Sequence, residues 1–402
     1  MKKIATLLLS SSTALAFGQD PVVQGVIDAI EIDSMMHYVV QMDGEVPVDL
    51  GAGLVTIVSR NSFHEGNAMA QTYFEQRFAE FGYTPVIQSS SATGRNILVT
   101  KPGIVHPDTY VILCAHYDAL PGALFAAPAA DDDASGCAAV LEAARILRDI
   151  PLECSVIFAL WDEEEQGKLG SDYYAGQASG DDLDIRGVVN MDAIAYDGDG
   201  DGRARVHSAN VANSSAIADT VLLVNELYGI GLDMVNNHPG ATYSDHASFW
   251  ESGYGAVLMI QDWDDDHNPN YHETTDLTQD FDVPYYERLA KLSIASAVAL
   301  AVPWNSTAGV RSPAQKQDRR LMSYPNPTAG DAVAWFEPST TDRYRVALLD
   351  PLGQEIALLH DGMLAVGKHG IQVPLSVVPA GAYTVVARST QEFHSVQVLR
   401  VP

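Results

Sequence analysis

The chain has 402 residues, 47% of them hydrophobic, enough for one large catalytic domain with an accessory module, and disorder is excluded as the default reading. Lys plus Arg number 23 against 52 Asp plus Glu, a formal charge of −29, which disfavours a nucleic-acid partner because phosphate binding needs a basic face. The acidity is concentrated before residue 321, where part of it suits cation binding and most of it suits a solvated acidic surface.

In chain order, Lys2 and Lys3, the apolar stretch 4–9 and the small-x-small run Ala14-Leu15-Ala16 read as an export signal over residues 1–18. Nothing later offers the ~20 uninterrupted apolar residues of a membrane span, so a soluble protein, secreted or at the cell surface, is expected. Cys114, Cys137 and Cys154 are an odd number, two of them in apolar strand-like runs, and read as small core residues rather than a disulfide framework.

Residues 19–302 carry the catalytic-domain pattern. Apolar spacing predicts a helix over 68–81, strands over 96–100 and 110–115, a helix over 134–148 and a strand over 155–161. After a Gly-containing turn into 170–176 come a strand over 187–191, a helix over 215–228, a strand over 256–260 and a long apolar helix over 283–302. Alternating strands and helices predict an α/β fold, with a mostly parallel central sheet covered by helices on both faces. Ligands then bind beyond the carboxyl ends of the strands. His116-Tyr117-Asp118, the acids at 162–165, Asp192 and the loop leading to His272 all follow apolar strand runs or sit in the loops beyond them. One site at one sheet edge collects them.

Residues 303–320 read as a linker, and residues 321–402 as a small β-sandwich. Short alternating runs there are separated by turns such as Asp350-Pro351-Leu352-Gly353 and Pro379-Ala380-Gly381.

Peptide hydrolysis at neutral pH needs an activated nucleophile, a Lewis acid on the carbonyl and a proton shuttle. Two divalent metals about 3.5–4 Å apart supply the first two and require roughly two His and three carboxylates, plus one carboxylate left free. His116 ends a strand, with Asp118 placed to hold its other ring nitrogen. Asp131-Asp132-Asp133 precede a helix; capping accounts for one Asp, while three crowded carboxylates ask for a cation. Glu163-Glu164-Glu165 follow the next strand, where a surface acidic turn is the bland alternative. Asp192 ends another strand and reads equally as a cap, and a lone loop histidine such as His272 is more often solvated than bound.

Taken together, His116-x-Asp118, Asp132-x-x-Ser135-Gly136, Glu164-Glu165-x-Gly167-x-x-Gly170-Ser171, Asn190-Met191-Asp192, Ser244-Asp245-His246 and Tyr271-His272 resemble the co-catalytic zinc aminopeptidase family over about residues 50–300. That family includes bacterial leucyl aminopeptidases and the glutamate carboxypeptidases. The resemblance implies two zinc ions: Asp132 bridging them, His116 and Asp192 on one, Glu165 and His272 on the other, with Glu164 as general base. Gly167 selects the acid pair and leaves Glu163 spare; Gly136 likewise selects Asp132. Tyr271 resembles a tyrosine that in some members donates a hydrogen bond to the oxyanion. Ser244, Asp245 and His246 are expected to shape the pocket wall.

Asp197, Asp199 and Asp201, alternating with glycines, resemble the opening of a calcium loop, but the twelfth position is Ser208 where an EF-hand needs Glu; a structural Ca²⁺ and an acidic turn both fit. Tyr324-Pro325-Asn326-Pro327, the run 347–353 and Pro379-Ala380-Gly381-Ala382-Tyr383 resemble the carboxyl-terminal sorting domain of the type IX secretion system, which implies secretion machinery as a partner. The expected function is an exopeptidase acting on peptides. A glutaminyl cyclase-like enzyme with one zinc and a receptor-like binding module are the alternatives.

Overall fold

The computed structural model describes residues 19–122, 125–302, 321–326, 328–349, 355–379, 381–389 and 393–401. The expected export signal, the linker and the turn at Asp350-Pro351-Leu352-Gly353 lie outside the described residues. Residues 19–302 form one compact unit; the described residues from 321 onward belong to another.

The first unit opens with helices α1 (Pro21–Ala29) and α2 (Ile32–Met42). Asp20 caps α1 by accepting from the Val22 amide, and Pro21 supplies a first-turn φ already fixed for a helix. A short hairpin, β1 (Val48–Asp49) and β2 (Leu54–Val55), leads to α3 (Glu65–Glu80), β3 (Val86–Ser89), β4 (Arg95–Lys101) and β5 (His106–His116). A π-type turn, Ala130–Ser135, precedes α4 (Gly136–Leu147). Then come β6 (Cys154–Trp161), α5 (Leu169–Gly180), β7 (Asp184–Met191), β8 (Arg203–His207), α6 (Ser214–Leu227), β9 (Asp233–Asn237), α7 (His246–Glu251), β10 (Ala256–Gln261) and α8 (Val283–Ala301).

Eight strands pair in the order β3-β4-β6-β5-β7-β10-β8-β9. The pairings β6–β5, β5–β7, β7–β10 and β8–β9 are parallel. Those of β3 with β4, β4 with β6 and β10 with β8 are antiparallel. The sheet is therefore mixed, with the parallel run β6-β5-β7-β10 at its centre and the parallel pair β8–β9 at one edge.

The period of two along the central strands splits the core between two faces. Val111, Leu113 and Ala115 of β5 and Val156, Phe158 and Leu160 of β6 join the core made by α1–α4, α6 and α8. Ile112, Cys114, Ile157, Ala159 and Trp161 pack on the opposite side with Ala175 of α5 and Phe249 and Trp250 of α7. The three cysteines are buried and unpaired. Because His116 stands level with Trp161, and Cys114 with Asn190, the carboxyl ends of β5, β6 and β7 open onto one edge.

The second unit is antiparallel. Strands β11 (Leu321–Tyr324), β12 (Ala332–Phe336) and β15 (His369–Val373) make one sheet; β14 (Glu355–Leu364), β13 (Asp342–Leu349), β16 (Gly381–Arg388) and β17 (Phe393–Arg400) make the other. Phe336, Tyr344, Val346, Leu348, Val385 and Val398 share one core between them.

Arg60 braces the loops above the site. Its guanidinium is fully buried and donates to the carbonyls of Met42, Tyr117, Pro128 and Ala129 at 2.8–2.9 Å. Arg60→Leu strands these acceptors, so unfolding free energy should fall by about 3 kcal/mol. Urea unfolding checks this; a midpoint within error of the wild type would show that the guanidinium does not hold these loops.

Candidate metal centre

The candidate side chains sit at strand ends or in the loops beyond them. His116 closes β5, Glu164 and Glu165 follow β6 by three and four residues, Asp192 follows β7, Asp132 lies in the turn before α4, and His272 lies in the loop beyond β10. The structure brings all of them together. His116 Nε2 stands 3.1 Å from Asp132 Oδ1 and 3.8 Å from Asp192 Oδ1. His272 Nε2 stands 3.2 Å from Asp132 Oδ2 and 3.1 Å from Glu165 Oε2. Two groups that can each hold an ion result, His116–Asp132–Asp192 and Asp132–Glu165–His272, with donor atoms within 4.8 Å of one another in each and Asp132 common to both.

The donor atoms fit zinc. Asp132 Oδ2, Glu165 Oε1 and His272 Nε2 are buried without any hydrogen-bond partner, although His272 and its carboxylates are in near contact. Two ligands of a tetrahedral ion, each about 2.0–2.1 Å from it, stand about 3.3 Å apart, and imidazole nitrogen with carboxylate oxygen is a zinc donor set.

The three consecutive aspartates have three different surroundings. Asp131 accepts from the Ala195 amide and from the side-chain amides of Gln261 and Asn268. Asp133 accepts from the amides of His116, Gly136 and Ala193. The chain thus satisfies Asp131 and Asp133 itself, and Asp132 is the one turned to the two imidazoles. Gly136 is required beside Asp133, since a Cβ there would meet Asp133 Oδ1 at 2.5 Å.

Asp118 has a wider role than orienting a histidine. The nearest acceptor to His116 Nδ1 is the Asp118 backbone oxygen at 3.2 Å, with its carboxylate at 3.5 Å. That carboxylate accepts from the amides of Glu164 at 2.9 Å and Glu165 at 3.2 Å, fixing the turn that presents both acids. Glu163 turns away to Thr93. The turn closes through Gly167 at φ +103°, and Gly170 lets α5 approach so closely that a Cβ there would lie 2.3 Å from the Asp162 carbonyl oxygen. Ala129, Glu163, Ala193 and His272 take positive φ beside the assembled acids, a backbone strain that accumulates at functional sites.

Burial and charge set the protonation. Burial pushes the Asp132 carboxyl up, but His116 and His272 outweigh it and hold Asp132 below the usual carboxylate range. Burial would lower both imidazoles; their carboxylate neighbours raise His116 well above its ordinary value and His272 to about 10. Burial lifts Glu165 to about 7 and Glu164 well above its ordinary value.

A cavity of about 230 Å³ opens on this cluster, lined by His116, Asp132, Glu164, Glu165, Asp192, Tyr243, Ile260, Trp263 and Tyr271. Tyr271 stacks on His272 with ring centroids 3.6 Å apart and meets Trp263 edge-on at 4.6 Å. Of residues 243–246, the one that reaches the cavity is Tyr243; Ser244, Asp245 and His246 are fully buried away from its lining. His246 bonds to the Ala241 carbonyl rather than to the acid cluster. Sequence reasoning missed Tyr243, Ile260 and Trp263, and also Asp276, whose carboxylate accepts from the Asp131 and Asp132 amides. Ile260 and Trp263 lie at and just after the end of β10, where the same strand-end rule applies.

At the expected calcium loop the third carboxylate differs. Asp197 and Asp199 converge with Asp266, while Asp201 faces Arg203. Asp197, Asp199 and Asp266 all accept backbone amides from within the loop.

The family model described as Peptidase family M28 matches residues 96–297, half of the chain. The chain belongs to peptidase family M28. Leucine aminopeptidase 1 of Ajellomyces capsulatus is 28% identical to this M28 chain over 244 residues, covering 54% of it and 62% of that protein. Aminopeptidase YwaD of Bacillus subtilis is 30% identical over 194 residues, covering 46% and 40% respectively. The chain spans about half the length of the curated relatives it matches. Among solved structures, the LapA aminopeptidase of Legionella pneumophila aligns with a TM-score of 0.60 at 19% identity, over 76% of this chain and 81% of that one. Glutaminyl cyclase of Porphyromonas gingivalis aligns with a TM-score of 0.54 at 17% identity, over 67% and 98%. At these identities the likeness is one of fold.

An imidazole must give up its proton to bind a metal, and His272 without an ion holds its proton up to about 10. Zinc binding near neutral pH should therefore release at least about one proton per chain, and affinity should fall as pH falls. Calorimetric titration of metal-free protein in buffers of different ionisation enthalpy measures both. Affinity that is flat with pH, without proton release, would show that His272 does not hold its proton in the metal-free protein.

Proposed function

We propose that this M28 protein is a secreted zinc exopeptidase that removes amino-terminal residues from peptides. In this reading Asp132 would be shared between two zinc ions, His116 and Asp192 would complete one ligand set, Glu165 and His272 would complete the other, and Glu164 would be the general base. The observation that carries it is the sharing of one buried carboxylate, Asp132, between two groups of donors. The names of the curated relatives, leucine aminopeptidase and aminopeptidase, support the substrate class. A one-zinc enzyme of the cyclase kind would use only one of the two groups.

Zinc, when bound, supplies Lewis acidity to the scissile carbonyl and brings the pKa of water to ~7. Glu164 lines the cavity and is nearly buried, and burial lifts its carboxyl, which suits a group that takes a proton from attacking water and returns it to the departing amine. Tyr271 donates a hydrogen bond to the carbonyl oxygen as it becomes negative. Among the described residues lining the cavity none is Lys or Arg. A peptide's anionic carboxyl end therefore finds no basic side chain among these residues, which favours the amino end as the one bound. Export through residues 1–18 and sorting through the carboxyl-terminal module complete the proposal, on the motifs that resemble such segments.

Glu164→Gln should lower turnover of an aminoacyl anilide at least ~100-fold while the protein retains about two zinc ions per chain. Glu165→Gln should lose zinc. Turnover and elemental analysis of both variants side by side decide; an active Glu164→Gln would refute the proposed base, and a single zinc in the wild type would refute the bridge.

A further inference from the structure

A second phenol faces the reaction centre, and its proton is directed by a buried histidine that the mechanism above does not use. His207, the last residue of β8, is buried, and its Nδ1 accepts the Ala241 amide at 3.0 Å. A ring nitrogen that accepts an N–H carries no proton of its own. Burial, first among its influences, lowers this imidazole to about 4, so the ring is neutral at working pH and its one proton is on Nε2. Nε2 lies 3.4 Å from the hydroxyl of Tyr243. With the imidazole as donor, the Tyr243 oxygen accepts, and its own hydrogen must point elsewhere.

That hydrogen is open to solvent, since Tyr243 is 41% exposed, and to the cavity. Tyr243 lines it, its ring held edge-on to His207 with centroids 5.6 Å apart and against Trp263 at 6.1 Å. Trp263 contacts Tyr271 on its other side, so one indole spaces the two phenols. The loop carrying Tyr243 is fixed on His207: the Gly240 amide donates to the Ser208 carbonyl at 2.8 Å, and a Cβ on Gly240 would lie 2.7 Å from His207 Cβ. Burial, Asp192 and Asp264 keep the phenol protonated against the opposing pull of Arg205. Of the other lining residues, His116, Asp132, Glu165 and Asp192 are candidate ligands, Glu164 is the candidate base, whose proton goes to the departing amine, Ile260 is apolar and Trp263 carries an indole N–H rather than a hydroxyl. An oxygen gaining negative charge in this cavity has the hydroxyls of Tyr243 and Tyr271 as its protein O–H donors.

We propose that Tyr243, steered by His207, is a second hydrogen-bond donor to the carbonyl oxygen of the substrate as it becomes an oxyanion. This rests on the peptidase reading. Tyr243 is then a catalytic residue, and His207 a positioning residue that acts only through it.

The test uses the full-length zinc-loaded protein. Tyr243→Phe removes the hydroxyl and keeps the ring. The kcat for an aminoacyl anilide should fall at least ~10-fold, with KM within about twofold and zinc content unchanged. Affinity for the aminophosphonate analogue of leucine, a tetrahedral anion, should fall by a similar factor in calorimetry, while affinity for leucine itself stays unchanged. His207→Gln should lower kcat in the wild-type background and have no further effect in Tyr243→Phe, since its role passes through the hydroxyl. Tyr243→Phe with wild-type kcat and wild-type phosphonate affinity would overturn the proposal, as would a change confined to KM. If wild-type protein hydrolyses no anilide or peptide, the peptidase reading itself fails, a result distinct from selective loss in one variant.

Discussion

A carboxylate buried between two imidazoles is the constraint around which the first unit is organised. Asp132 is 4% exposed and has His116 on one oxygen and His272 on the other. Placing Asp192, Glu164 and Glu165 beside it in low dielectric is unfavourable without compensating charge. The described cavity lining offers no Lys or Arg for this, so the charge is relieved by protonated imidazoles, by protonation of the lifted Glu164 and Glu165 carboxyls, or by bound cations. Acidity in this region follows from the site's chemistry, whereas most of the chain's −29 lies on groups that need no such account.

The strand-end loops also brace one another through carboxylate–amide bonds. Asp118, after β5, takes the amides of Glu164 and Glu165, after β6. Asp133, before α4, takes those of His116 and Ala193, which belong to β5 and the end of β7. Asp131 takes the Ala195 amide, and Asp276 takes those of Asp131 and Asp132. Asp118, Asp133 and Asp276, which bear no candidate metal role, thus anchor the backbone of Glu165, His116 and Asp132, which do. Hydrogen bonds of this charge-assisted kind hold the geometry more firmly than loop packing alone.

Much of this was legible in the residue order. The central strands are buried on both faces and read as apolar runs, so their ends, and the acids and histidines that follow them, could be located. Strands β8 and β9 were not legible, because Arg203–His207 and Asp233–Asn237 are polar and take their place by pairing with β10 and with each other. Helices α1 and α2 also escaped notice. Within the acid triplet, the partners that occupy Asp131 are Ala195, Gln261 and Asn268, far along the chain, and spacing cannot display them. The same remoteness hid Asp266, which replaces Asp201 beside Asp197 and Asp199. Tyr243 was concealed by its position next to a more conspicuous triplet, Ser244-Asp245-His246, whose members are buried behind the wall rather than in it.

The spread of the cluster along the chain has a consequence for biosynthesis. His116 lies near the start of the assembled groups, and Asp276, which fixes the amides of Asp131 and Asp132, lies near their end. Neither metal-holding group depends on one local segment: the first needs residues 116 to 192, and the second also needs the loop at 272. A nascent chain emerging from the ribosome therefore lacks the second group, and the Asp276 anchor of Asp132, until the loop after β10 has been made. Hydrolytic capacity of the proposed kind would require both groups and so could not precede synthesis of that loop, which spares the cell that makes the protein from unfinished chains that cut peptides.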